Sequence, residues 1–250
     1  MEKKIAGILL GRKGSRGLPG KNIRNILGRP SLEYPLLAAK HCGLVTDLYV
    51  STDSPEITAI AKDYGAVPVE RPPELATHTA LLEDAIHDSF KRVNAVKKYD
   101  YYLIILCNSC TILADNIKKA AEMLNADSSL SSVTTLAKYN MFSPVRARKI
   151  MPNHSVDSYI SAETLEKETS LSCDRDQSID CYFSDHSFTL TRSETLESLP
   201  NNPHPFKWMG KNIGMIEQAP GGGDIDFPWQ VPLVEWWLKE HGFTETKTPY

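Results

Sequence analysis

The apolar run Ile5-Ala6-Gly7-Ile8-Leu9-Leu10 passes directly into Gly11-Arg12-Lys13-Gly14-Ser15-Arg16-Gly17-Leu18-Pro19-Gly20-Lys21-Asn22, and this junction limits the fold more than any other stretch. A short, uninterrupted apolar run bounded by glycine reads as a strand buried on both faces, the habit of parallel sheets. The loop leaving it carries glycines at 11, 14, 17 and 20, which let backbone approach a ligand closely. Arg12, Lys13, Arg16 and Lys21 add the guanidinium forks and ammonium charges that bind phosphate oxygens. The loop therefore reads as a polyphosphate site at the end of the first strand. A solvated basic loop is the plainer reading. It ranks second because such a loop needs neither the buried strand before it nor so many glycines.

Two familiar phosphate motifs are absent. A P-loop needs four residues between its first glycine and Gly-Lys-Ser/Thr. Counting back from Gly20-Lys21 puts Ser15 where that glycine belongs, and Asn22 follows the lysine. The dinucleotide fingerprint fails as well, since glycines 11, 14 and 17 are spaced Gly-x-x-Gly-x-x-Gly.

Further along, strand-like and helix-like segments alternate. A helix is expected from 30–31 to Gly43, a strand at 48–50, and a helix at 57–64 opened by Ser54-Pro55 and closed by Gly65. An extended piece at 66–69 precedes a longer helix over 79–96. Tyr101-Tyr102-Leu103-Ile104-Ile105-Leu106 is the strongest strand pattern and belongs at the sheet's centre. A helix at 115–124, strands at 132–136, 182–190 and 212–217, a short helix at 192–199 and a final helix from Pro228 to 241–242 complete the reading; 23–29 reads as irregular. Such alternation implies β-α-β units, a doubly wound, mostly parallel α/β sheet, and a ligand at the carboxyl ends of the strands.

Composition excludes several classes. A net charge of -3 from 28 basic and 31 acidic residues gives no general attraction to nucleic acid or acidic membranes, so the basic loop is a local site. No apolar run approaches the ~20 residues of a membrane span. Met1-Glu2-Lys3-Lys4 leads straight into a strand without a signal peptide, which makes the cytoplasm the expected compartment. Cys42, Cys107, Cys110, Cys173 and Cys181 lack a paired C-x-x-C pattern and read as buried or reduced thiols.

The loop resembles the signature Arg-x-x-Ser-Lys/Arg-Gly-Leu-Pro-x-Lys-Asn of the cytidylyltransferases that make CMP-activated acid sugars, the CMP-sialic acid and CMP-KDO synthetase group. Val50-Ser51-Thr52-Asp53-Ser54, the segment from Arg71-Pro72-Pro73-Glu74 to Ala80, and Asp224-Ile225-Asp226 follow in that family's order. The resemblance implies a Rossmann-like nucleotidyltransferase fold in one domain, 1–250, with a protruding dimerisation segment within 138–202 and a homodimer. It implies Arg12 and Lys21 as triphosphate ligands, with Leu10, Gly14, Ser15, Arg16 and Asn22 beside the nucleotide. Arg71 matches a base-side arginine; pairing with Glu70 or Glu74 is the equal alternative. Asp224 and Asp226, two apart, put both carboxylates on one side of an extended segment, where Mg²⁺ fits. Capping of the following helix is the alternative role for Asp226, and Asp53 reads as structural.

The acceptor side departs from that pattern. Where the family shows Leu-Gln-Pro-Thr-Ser-Pro-Leu-Arg, this chain has Leu106-Cys107-Asn108-Ser109-Cys110-Thr111-Ile112-Leu113, and the family's serine pair becomes Leu81-Leu82. Losing several hydrogen-bonding groups together points to an acceptor unlike ordinary sialic acid. Asn108, Ser109, Arg146, Arg148 and His186 are the candidate acceptor ligands. The expected activity is CMP transfer from CTP to an acidic small molecule, a sugar acid first and a phosphonate second, with a catalytically silent nucleotide-binding relative as the third reading.

Overall fold

The computed structural model describes residues 3–167, 174 and 180–250. Seven strands form the main sheet: β1 (Ile5–Leu10), β2 (Val45–Thr52), β3 (Val67–Glu70), β4 (Tyr101–Leu106), β5 (Ser132–Lys138), β6 (Tyr182–Arg192) and β7 (Ile213–Gln218). Their order is β7-β5-β6-β4-β1-β2-β3. Only β6 runs antiparallel to its neighbours, so the sheet is mostly parallel as expected. The helices are α1 (Glu33–His41), α2 (Pro55–Asp63), α3 (Leu82–Val96), α4 (Ala114–Ala126), α5 (Ala162–Glu166), α6 (Ser193–Glu197) and α7 (Gln230–Glu240).

Side-chain alternation along β1 and β4 explains the double winding. Ile5, Leu9, Leu103 and Ile105 enter one core with Leu36, Ile57 and Ile117 of α1, α2 and α4. Ala6, Ile8, Leu10 and Ile104 enter the opposite core with Ile86, Phe90 and Leu196 of α3 and α6. With both faces covered, β1 and β4 tolerate almost no polar residue, and that is why they read as continuous apolar runs.

A third core joins distant parts of the chain. Leu18 from the glycine loop, Ile225 from between the two aspartates, and Val234, Trp237 and Leu238 from α7 pack in one cluster with Tyr34 and Phe243. Trp237 Nε1 also donates to the Ala219 carbonyl at 3.0 Å, which ties α7 to the chain just before the acidic turn. The C-terminal helix thus holds the glycine loop and the acidic segment to the same body.

Several boundaries differ from expectation for identifiable reasons. Residues 23–29 are not irregular: a 3₁₀ turn (Lys21–Ile23) leads into a two-stranded ladder of Asn25–Ile26 with Arg29–Pro30. The third helix starts at Leu82 rather than 79, because the Thr77 hydroxyl accepts from the Ala80 amide and Leu81 is extended. The last helix starts at Gln230, whose side-chain oxygen accepts from the amides of Asp226 and Phe227, each at 2.8 Å. Ser54 caps α2 as expected, accepting from the Ile57 amide.

Between β5 and β6 the chain leaves the sheet. This excursion contains a hairpin of Arg148–Ile150 with Val156–Ser158, followed by α5. Its exposed apolar side chains include Met141, Phe142, Ile150, Val156 and Tyr159. Cys42, Cys107 and Cys110 are buried free thiols and Cys181 is a half-buried one; Cys173 lies outside the described residues. Among the described residues no helix is long and apolar enough to cross a membrane.

Candidate active site

Sheet register brings the sequence motifs to one edge. The Gly11 amide donates to the Ser51 carbonyl, and the Cys107 amide donates to the Leu10 carbonyl at 2.9 Å, so β1, β2 and β4 end side by side. A side chain at position 11 would not fit: a Cβ there would run into Cys107 Sγ and lie 2.9 Å from the Cys107 Cβ. The Cys107 thiol is fully enclosed, and burial pushes its pKa up to about 12, so it serves as packing rather than as a nucleophile.

Arg71 follows directly on β3. Its Nη2 donates to the Ser51 carbonyl at 2.8 Å, and no ion pair to Glu70 or Glu74 is found among the described residues. Burial lowers its pKa from the ordinary arginine value, yet a guanidinium remains charged throughout the physiological range. A desolvated cation held on a backbone carbonyl retains free donors for a ligand.

The acidic pair meets the basic loop directly. Lys21 and Asp226 form an ion pair across 205 residues of sequence. A Cβ on Gly17 would lie 2.5 Å from the Asp226 carbonyl oxygen, so the loop and the acidic segment are in backbone contact. Ile225 is fully buried between its two aspartates, which turns both carboxylates the other way, toward the loop. Asp226 does not cap α7; Gln230 bonds back to the Asp226 amide instead. Burial first, and the neighbouring Asp226 carboxylate second, raise the Asp224 carboxyl above the usual carboxylate range.

Leu10, Arg12, Lys21, Asn22, Arg71, Asn108, Asp224 and Asp226 line a single cavity. Asn22 Nδ2 donates to the Arg12 carbonyl at 2.8 Å, while its Oδ1 is buried and has no partner. An orphaned buried acceptor on a cavity wall is a place for a ligand donor. Gly14 and Arg16 sit on the exposed tip of the loop and Ser15 is half-buried there; none of the three lines the cavity. The Lys13 amide donates to Asp53 Oδ1 at 2.7 Å, a structural use of that carboxylate.

The acceptor candidates separate. Asn108 is on the cavity wall. Ser109 is buried beneath it, donating to the His186 carbonyl at 2.7 Å. His186 sits at the irregularity in β6 with φ 53°, its ring 5.3 Å from that of Phe206. Arg146 and Arg148 lie on the excursion, away from the cavity walls, and Arg148 donates to the Val145 and Ala147 carbonyls. Sequence reading missed the remaining wall, made by Leu75, Thr77, Ala80, Leu81, Leu82, Ala85 and Leu106. The segment from Arg71 to Ala80 carried the signal for Thr77 and Ala80; Leu81 and Leu82 registered only as lost serines.

Residues 6–207 match the model of the cytidylyltransferase family. The chain belongs to that family. Among curated relatives it is 30% identical to an N-acylneuraminate cytidylyltransferase of Oncorhynchus mykiss over 139 residues, 56% of this chain and 32% of that protein. It is 40% identical to CMP-N,N'-diacetyllegionaminic acid synthase of Legionella pneumophila over 85 residues, 34% of this chain and 35% of that one. The matches thus span about a third of each relative's length. The fold is shared with CMP:2-keto-3-deoxy-manno-octonic acid synthetase complexed with CTP, at TM-score 0.65 and 16% identity over 95% of this chain and 99% of the other. A 4-diphosphocytidyl-2C-methyl-D-erythritol synthase of Anaerococcus prevotii gives TM-score 0.62 at 13% identity over 95% and 97% of the two chains.

Proposed function

We propose that this chain transfers CMP from CTP to an acidic sugar of the sialic-acid type and releases pyrophosphate. The observation that carries the reading is the meeting of Arg12 and Lys21 with Asp224 and Asp226 on the walls of one cavity. Cations for a triphosphate and carboxylates for a counter-cation are the two halves of a nucleotidyl-transfer site.

Two hard oxygen donors on one wall suit Mg²⁺, which takes one or two carboxylates, substrate phosphates and several waters. Among the described residues no group of three or more His, Cys, Asp or Glu side chains is placed to enclose a metal, so substrate and water would have to supply the remaining ligands of such a cation. Bound there, Mg²⁺ would polarise the α-phosphate and stabilise the departing pyrophosphate. Arg12 and Lys21 hold the phosphate oxygens in line for attack. Asn22 Oδ1 accepts from the nucleoside, and the free donors of Arg71 face the base. The acceptor oxygen bonds to the α-phosphorus as the bond to the β-phosphate oxygen breaks.

Asn108, Ser109, His186, Arg146 and Arg148 are the proposed acceptor-side residues, Asn108 by direct contact. The apolar surface of the excursion supports a homodimer, in which Arg146 and Arg148 would be carried on the dimerising segment. The cytoplasm, which holds the CTP pool, is the proposed compartment.

Pyrophosphate release from CTP, measured against sialic acid, a KDO-like acid and a phosphonate, tests the proposal. Release with a sugar acid supports it. Release with a phosphonate alone assigns the second acceptor class, and no release with any of them leaves a nucleotide-binding relative without turnover.

A further inference from the structure

The segment just beyond β4 is bonded to the acidic turn along its length. The Ile225 amide donates to the Asn108 carbonyl at 3.1 Å, Asn108 Nδ2 donates to the Ile225 carbonyl at 3.1 Å, and Ser109 pairs with Asp224 in an antiparallel bridge. Thr111 completes the contact. Its Oγ1 accepts from the Gly223 amide at 2.7 Å, and a Cβ on Gly222 would lie 2.9 Å from the same oxygen.

Thr111 is itself held from behind. It is fully buried, and its carbonyl accepts from Gln218 Nε2 and from Ser187 Oγ, both at 2.9 Å. Gln218 also donates to Asp185 Oδ2 at 2.6 Å, and its own oxygen accepts from Asn116 Nδ2 at 3.0 Å. Asp185, 5% exposed, accepts further from Thr135 Oγ1 and from the Ser187 amide. The network links β5, β6, β7 and α4, and none of Thr111, Gln218, Asp185 or Asn116 lines the cavity. Fully connected buried networks fix one geometry, and the strip they act on here needs fixing: Gly221-Gly222-Gly223 has the loosest backbone a chain can offer.

We infer that Thr111 is a positioning residue for the acidic pair: its hydroxyl pins the Gly223 amide and so sets the direction from which Asp224 enters the site. The inference rests on the proposed role of Asp224 and Asp226 as cation ligands. Partners behind a metal ligand orient it, and their removal typically weakens metal binding about 10–100-fold.

Mn²⁺ titrated into the nucleotide-free protein, followed by water-proton relaxation, tests this. Thr111→Val keeps the shape and removes the acceptor, and it should weaken Mn²⁺ binding at least tenfold. Metal-free CTP binding should stay within about twofold, because the basic loop is untouched. Thr111→Ser restores the hydroxyl and should return Mn²⁺ binding to near the unmodified value. Hydrogen exchange on the unmodified protein needs no variant: the Gly223 amide should be protected far beyond that of Gly222, while the Gly221 amide is held separately by the Tyr139 hydroxyl. An unweakened Thr111→Val, a Thr111→Ser as weak as Thr111→Val, or a freely exchanging Gly223 amide overturns the inference while leaving the metal reading intact. An unmodified protein that binds no Mn²⁺ even with CTP overturns both.

Discussion

The ammonium of Lys21 and the carboxylate of Asp226 neutralise one another in the nucleotide-free protein, although one is assigned to phosphate and the other to a cation. Each must leave its partner when substrates bind. A triphosphate that draws Lys21 away frees Asp226, so nucleotide and cation should strengthen one another's binding by the same factor. Lys21→Met should therefore bind Mn²⁺ about two- to fivefold more tightly without nucleotide, the worth of a partly exposed pair, while losing CTP turnover. Equal or weaker Mn²⁺ binding by that variant would contradict the coupling.

Asp224 opposes stability where it serves function. Its carboxyl holds a proton more tightly in the folded protein than an ordinary aspartate does, near 3.8, so its favourable contribution is complete below that pH and disappears as pH rises through the higher folded value. Asp224→Asn should melt about 2–4 °C above the unmodified protein near pH 7.5, corresponding to roughly 1 kcal/mol, and should be inactive. The gap should close as pH falls toward 3.8. Parallel melts across pH check the sign; a gap that widens in acid refutes it.

Gly17 is required for space. A Cβ there meets the Asp226 carbonyl oxygen at 2.5 Å, and a backbone atom cannot swing aside as a side-chain end can. Gly17→Ala should cost about 1–3 kcal/mol as an overpacking strain and lower CTP turnover more than tenfold. Melting temperature and initial rates, read together, distinguish this from a harmless loop change.

Arg71 tests the base side. Arg71→Met removes a desolvated charged donor and should raise the KM for CTP about 10–100-fold, in line with a charge-assisted hydrogen bond of 1.5–3 kcal/mol. Arg71→Lys should not rescue it, because an ammonium lacks the fork that bonds Ser51 and a base at once. Rates with CTP and UTP give the answer; an unchanged KM in either variant removes Arg71 from the site.

The glycine loop was legible as a local pattern, a buried strand with a cationic turn, whereas the Asp224–Asp226 pair stood out through the family resemblance and its place after a glycine turn, its spacing alone being weak evidence. The central place of Tyr101–Leu106 in the sheet was legible because a continuous apolar run reveals burial on both faces. The acceptor side was not, since the partners of Ser109 and Thr111 come from His186 and Gly223, and periodicity carries no information about bonds between remote segments. The short ladder after Lys21 was missed because two-residue strands have no period. The excursion between β5 and β6 hid its hairpin because neither strand has a buried face to impose alternation.

The cluster joining Leu18, Ile225 and Trp237 has a consequence for biosynthesis. All the sheet strands are already made by Gln218, yet both chemical halves of the cleft are braced by a helix that begins at Gln230. A growing polypeptide halted between those points would possess its scaffold and lack a working centre. Assembly of the reactive apparatus is therefore deferred until the helix that follows the sheet's seventh strand has been made.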